Sequence, residues 1–169
     1  MGDRSAIEWT DATWNPLIGC SRVSEGWLGV SVEDQATADE RIPLLLQTPA
    51  TVRWVSYEPA LAPVDFSPWF SRAGLDFIVI GGESGPGARP FDLAWARSVI
   101  AQCREAGVPV FLKQIGACPF DSDNKWITRG GGVVIPVASE WSIHERLRDR
   151  KGGDPTEWPE DVRVREFPA

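Results

Sequence analysis

Histidine is nearly missing from this chain. Of its 169 residues only His144 carries an imidazole, so no His-containing metal motif can be written from the sequence. Cysteine is scarce too. Cys20, Cys103 and Cys118 form no CxxC pair and no zinc-type spacing. Three unpaired thiols behind no leader-like segment read as those of a protein in a reducing, cytoplasmic compartment. No apolar run approaches the ~20 residues that a membrane-spanning helix needs. A basic excess is also lacking: 17 Lys and Arg stand against 24 Asp and Glu, a formal charge of −7. That balance argues against non-specific nucleic-acid binding, which requires a basic face. The most basic run, His144–Lys151, sets four basic residues against two acidic ones and reads as solvated surface. Neither a GxGxxG fingerprint nor a Walker loop occurs.

What is present is a strand–loop–helix unit. Phe77 to Gly81 is a short apolar run with β-branched members, the pattern of a strand buried on both faces. It leads into Gly81-Gly82-Glu83-Ser84-Gly85-Pro86-Gly87, which no regular element tolerates. Asp92 then caps a helix over Leu93–Ala106 that stops at Gly107. Leu93, Ala96, Ile100 and Cys103 share one face of it, so Cys103 reads as core. Around this unit the spacing predicts strands at Trp27–Glu33, Thr51–Glu58 and Val108–Ile115. A helix is expected over Asp34–Thr48, kinked or restarted at Pro43. Residues 60–75 form a Pro-rich connection with one turn of helix near Trp69. Upstream, Ile7–Thr10 reads as a short strand, with Trp9 and Trp14 packing on a core. Downstream, Val133–Val137 reads as a strand, Ser142–Arg150 as a short helix, and 152–169 as an extended tail pinned by Trp158 and Phe167.

A phrase repeats at the strand ends. Val30-Ser31-Val32-Glu33 and Val55-Ser56-Tyr57-Glu58 are both VSxE, 25 positions apart, one βα step. Side chains alternate across a strand, so Ser31 and Glu33 share a face, as do Ser56 and Glu58. Glu83 and the Lys113-Gln114 pair end the other two strands. Carboxylates and an amine at the C-terminal ends of parallel strands stand where α/β proteins bind ligands. Glu33, Glu58, Glu83 and Lys113 are the candidate catalytic residues. Gly81, Gly82, Glu83, Ser84 and Arg89 are the candidate cofactor-binding residues, the glycines offering backbone N–H groups and Arg89 a charge.

Several blocks together resemble a known family. IEWTDATWNPLIGCSRVSEG, WLGVSVEDQATADERIPLLLQTPATVRWVSYEP, IVIGGESGPGARP with FLKQIG, and the closing GGDPTEWPEDVRVREFP are similar to a phage- and bacteria-encoded family of radical-SAM-like proteins. The family has a three-cysteine motif and an unknown biological role. The resemblance implies a barrel-type α/β fold and, for intact members, a [4Fe–4S] cluster that binds S-adenosylmethionine (SAM). It also marks a departure. In the family the loop holding Cys20 continues into two further cysteines, whereas here Gly26 is followed at once by Trp27. The chain therefore resembles a member deleted internally after Gly26, with Cys20 the remnant of the metal-ligand set.

Four strands fall short of a closed eight-stranded barrel, which takes ~250 residues. The expected fold is α/β: a partial, half TIM-barrel-like parallel sheet with flanking helices and an irregular C-terminal tail. Its divisions are 1–26, the remnant cysteine loop; 27–116, the α/β core; and 117–169, the extension. Exposed sheet edges would invite self-association. Three functional expectations stay open. The first is a truncated iron–sulfur protein without its cluster, inert in SAM cleavage and needing no cofactor. The second is a module binding a small molecule such as a nucleotide or SAM-like ligand, or a SAM-dependent enzyme should the missing segment exist. The third is a carboxylate–metal enzyme using Glu33, Glu58 and Glu83 with Mg²⁺ or Mn²⁺.

Overall fold

The computed structural model describes residues 26–123, 133–137, 140–144 and 147–168, the second and third of these segments as backbone only. The expected strand Ile7–Thr10, together with Trp9, Trp14 and Cys20, lies outside the described residues.

Strand β1 (Trp27–Ser31) leads into helix α1 (Gln35–Leu46) and strand β2 (Val52–Tyr57). Asp34 caps α1: its Oδ1 accepts the Thr37 N–H at 2.9 Å, while the Thr37 hydroxyl oxygen accepts the Asp34 N–H at 3.1 Å. This reciprocal box defines the start of the helix. Ala38, Ile42 and Leu45 are its buried face. Pro43 does not restart it; α1 continues through Pro43 as one element. The amide that proline lacks would have bonded the carbonyl of Asp39, and Asp39 lies on the exposed side of the helix rather than in the core.

The connection from β2 to β3 (Phe77–Gly81) contains one turn of 3₁₀ helix at Ser67–Trp69, as the sequence predicts. Phe66 is buried against Tyr57, ring centroids 5.7 Å apart. The Tyr57 hydroxyl donates to the Ala62 carbonyl, and burial raises its pKa. After β3 come a two-residue strand β4 (Phe91–Asp92), helix α2 (Leu93–Ala106), strand β5 (Val110–Gln114) and a second two-residue strand β6 (Pro119–Phe120). Asp92 Oδ1 accepts the Ala94 N–H at 3.0 Å, capping α2, and also the Ser122 N–H at 3.1 Å. At the other end Gly107 takes a left-handed conformation, φ 69°, which its missing Cβ permits. Leu93, Ala96, Val99, Ile100 and Cys103 are the buried face of α2. Each large aliphatic member contributes about 1.5–3 kcal/mol on leaving water.

The main sheet is parallel throughout, in the order β1-β2-β3-β5. Neighbours in sequence are neighbours in space, as in a barrel and unlike a doubly wound sheet. Both helices accordingly pack on one face, against Val30, Val55, Tyr57, Ile78, Ile80, Val110 and Leu112. The opposite face carries a second apolar group, Trp54, Phe77, Val79 and Phe111. The fold is therefore α/β, a parallel four-stranded sheet flanked by two helices. No helix among the described residues is long and apolar enough to cross a membrane.

One C-terminal feature differs from expectation. Ser142–Arg150 is not a helix: Ser142–His144 belongs to strand β8 (Glu140–His144), antiparallel to β7 (Val133–Val137). The neighbouring β7 run Val-Val-Ile is a strong strand former and supplies β8 with a ladder partner, which outweighs a weak helical period. The tail is pinned as expected, by Trp158 in the core and by Phe167 against Phe77 and Phe111. Trp158, Val162 and Val164 belong to the helix-side core. Leu112 N–H donates to Val164 O at 2.9 Å and Glu166 N–H to Val110 O at 3.0 Å, an antiparallel pairing centred on Phe111 and Arg165. The tail thus covers the β5 edge of the sheet.

Candidate functional site

The repeated VSxE phrase has a structural counterpart. Ser31 pairs with Ser56 and Val30 with Val55, so the two strands lie in the same pose. Beyond them each strand-end acid meets its own base. Glu33 Oε2 lies 3.1 Å from Arg41 Nη1, and the same Arg41 donates to the Ser31 carbonyl at 2.7 Å. Glu58 Oε2 accepts from Lys113 Nζ at 3.0 Å and its Oε1 from Gln114 Nε2 at 2.9 Å. Glu83 takes a two-pronged bond from Arg89, 2.8 Å from Nε and 2.9 Å from Nη2.

Glu58 is the centre of this arrangement. Its side chain lies across β3 over Gly81, where a Cβ would stand 2.8 Å from Glu58 Cδ. On the far side it reaches Lys113 and Gln114 of β5, and Gln114 Nε2 also donates to Gly82 O at 2.9 Å. The side chains of β2 and β5 are so joined over the end of β3.

The glycine-rich loop divides into a packed base and an open tip. A Cβ on Gly82 would stand 2.7 Å from the Ile115 carbonyl oxygen, so this glycine serves close backbone packing. Gly85 to Ala88 is a β-turn closed by Ala88 N–H to Gly85 O at 3.3 Å, with Pro86 and Gly87 at its corners. The φ of 77° at Gly87 fits the third position of a type II turn. Ser84 and Arg89 are exposed. The Arg89 backbone N–H also donates to Glu83 Oε2, at 2.8 Å. These bonds, the guanidinium first and the backbone amide second, lower the Glu83 pKa to about 2. The sequence offered Arg89 as a charge for a ligand; the fold pairs it with Glu83. The same Glu83 bond raises the Arg89 pKa.

The metal expectations receive little from the described residues. Among them no group of three His, Cys, Asp or Glu side chains gathers as a metal-binding set. Cys103 is fully buried on α2, where desolvation pushes its thiol up to about 12. Cys118 is half-buried, and its pKa also moves up by burial.

Sequence reasoning missed two features. Arg41 was not recognised as the partner of Glu33. The cavity between β3, β5 and the tail was not foreseen either; it measures about 190 Å³ and is lined by Val79, Phe111, Lys113, Arg165 and Phe167. The alternation of Val164 and Arg165, one apolar and one charged, held the signal.

The family model described as "Protein of unknown function (DUF5131)" matches residues 27–155, from the first residue of β1 into the tail. No curated protein and no solved structure matches the chain. Since the match takes in both helices and every strand of the sheet, well over half of the sequence, the chain belongs to the DUF5131 family.

Proposed function

We propose that this protein is a shortened radical-SAM-like protein that lacks the cluster chemistry and binds a small polar molecule at the C-terminal end of its parallel sheet. The observation that carries this reading is Glu58 lying over Gly81 to reach Lys113 and Gln114. A carboxylate, an ammonium and an amide are thereby held over Gly81 and Gly82, where the glycine-rich loop begins, at the end of the sheet that receives ligands in α/β folds. A nucleotide or SAM-like ligand offers the ammonium, carboxylate or phosphate groups that such a set would pair with. The compartment proposed is the cytoplasm, where the thiols stay reduced.

The cysteines support the loss of the cluster. A cluster of the implied type is held by several thiolates at once. Cys103 faces the core from α2, and freeing it would expose Leu93, Val99 and Ile100 along with it. The two described thiols, one buried and one half-buried, do not fit a three-cysteine set.

Isothermal titration with SAM and with ATP tests the binding. Glu58→Gln and Arg89→Ala should each weaken one of these ligands about tenfold; equal affinity in parent and variants would remove the site. Anaerobic reconstitution with iron and sulfide tests the other half. No stoichiometric thiolate-to-iron absorbance is expected, and a full cluster that disappears in Cys20→Ala would restore the enzyme reading.

A further inference from the structure

We propose that the sheet face opposite the helices holds a site for a single-ring aromatic carboxylate, in the cavity between β3, β5 and the tail. The inference stands apart from the strand-end site, with which it shares only Lys113, and does not depend on nucleotide or SAM binding.

Three observations specify the ligand. The first is size. The cavity has about 190 Å³. An engineered apolar cavity of roughly 150 Å³ accepts benzene, whereas drug-sized ligands occupy ~300 Å³ or more. One ring with one short substituent fills this space.

The second is the character of the walls. Val79 and Phe111 form an apolar floor, and Phe167 closes one side with its ring centroid 5.0 Å from that of Phe111. Phe77 backs Phe167 at 5.9 Å. Such a lining favours a flat apolar body, packed edge-on or offset against the rings.

The third is charge. Lys113 and Arg165 line the cavity, and the Lys113 ammonium is offset by Glu58 at 3.0 Å. Arg165 has no carboxylate partner among the described residues. Its guanidinium lies over the Phe111 ring at 5.1 Å and the Trp158 ring at 5.4 Å, and its Nη2 donates a long bond to the Lys113 carbonyl at 3.5 Å. Glu166 is not among the lining residues, and its carboxylate accepts the Val110 N–H at 3.3 Å. The lining therefore holds one formal positive charge in excess, which suits a monoanion better than a phosphate dianion. The planar fork of Arg165 matches a carboxylate in two-pronged geometry.

The alternation of the tail strand produces this arrangement. Val164 enters the helix-side core, and Arg165, next along the tail, lines the cavity at the sheet edge while reaching the Trp158 ring. Tail pairing with β5 thus supplies both the cation and the aromatic wall.

The test uses benzoate with the full chain. Amide NMR spectra are recorded during titration with benzoate and, separately, with benzamide, which keeps the ring and shape but carries no charge. Benzoate should shift the amides of Val79, Lys113 and Phe167. Benzamide should bind at least tenfold more weakly. Arg165→Gln and Phe167→Ala change exposed tail residues, and each should weaken benzoate about tenfold while the remaining spectrum stays that of the parent. Benzoate shifts elsewhere, equal binding of benzamide, or parent-like affinity in Arg165→Gln would overturn the proposal. A change of spectrum throughout Arg165→Gln leaves Phe167→Ala and the benzamide comparison to decide it.

Discussion

The Glu58 side chain occupies the space beside Gly81 that any larger residue would need, with Cγ 2.9 Å and Cδ 2.8 Å from a Cβ at that position. Gly81 is therefore the condition for Glu58 to reach β5. Gly81→Ala should push Glu58 off Lys113 and Gln114 and destabilise the protein by about 1–3 kcal/mol. In the Glu58→Ala background the same change should cost less by at least ~1 kcal/mol, a coupling that urea denaturation of the four proteins measures. Equal costs in both backgrounds would show that the contact is relaxed elsewhere.

Arg97 holds the least exposed ion pair described. Its Nη1 and Nη2 meet Asp121 at 2.7 and 3.0 Å, and the Asp121 side chain is only 3% exposed. The Asp121 bonds, ahead of that to Asp161, raise the pKa of Arg97. Arg97→Met should cost about 3–5 kcal/mol, because Asp121 is left buried without its cation. Adding Asp121→Leu should recover part of that loss in thermal melts.

Glu83 should titrate far below an ordinary glutamate. Its folded pKa is lowered to about 2 from a model-compound value of 4.5, so its contribution is complete above pH 4.5 and is lost as pH falls toward 2. The pair is exposed, so solvent screens it and keeps that contribution small. Carboxyl NMR should place the parent midpoint near 2, and Arg89→Ala should return it toward about 4.3. A midpoint unchanged by that substitution would mean that another group depresses it.

The two described thiols should differ in reactivity. Burial raises both, Cys103 to about 12 in the core and Cys118 upward from a half-buried position. Iodoacetamide at mildly alkaline pH, followed by peptide mapping, should modify Cys118 first and Cys103 only at the rate of unfolding. Prompt labelling of Cys103 would mean that α2 opens by itself.

The parts of the fold that were legible are those whose cause lies nearby in sequence. Helix α2 was readable to the residue because Asp92 and Gly107 are local stop signs, and the pairing of Ser31 with Ser56 was written in the repeated VSxE. The tail strand was not readable, since its partner β5 lies some fifty positions away and its alternation alone names no neighbour. The strand-end polar residues were visible as a set, but their partners were not. Glu83 meets Arg89 only because a type II turn folds the loop back, and Glu33 meets Arg41 only because α1 packs beside β1. Strand β8 was misread because a short Trp-Ser-Ile-His run fits either period until a partner strand decides it.

The tail gives β5 two kinds of amide. Those of Leu112 and Val110 point outward, to the Val164 carbonyl and the Glu166 carboxylate, while strand alternation turns those of Phe111 and Lys113 inward to β3. In deuterated water the inward pair should keep their protons until the whole sheet opens. The outward pair should lose theirs whenever the tail lifts away, an event that leaves the parallel ladder intact. Neighbouring residues of a single strand would then carry very different exchange lifetimes, and the faster one would time the opening of the C-terminal strap.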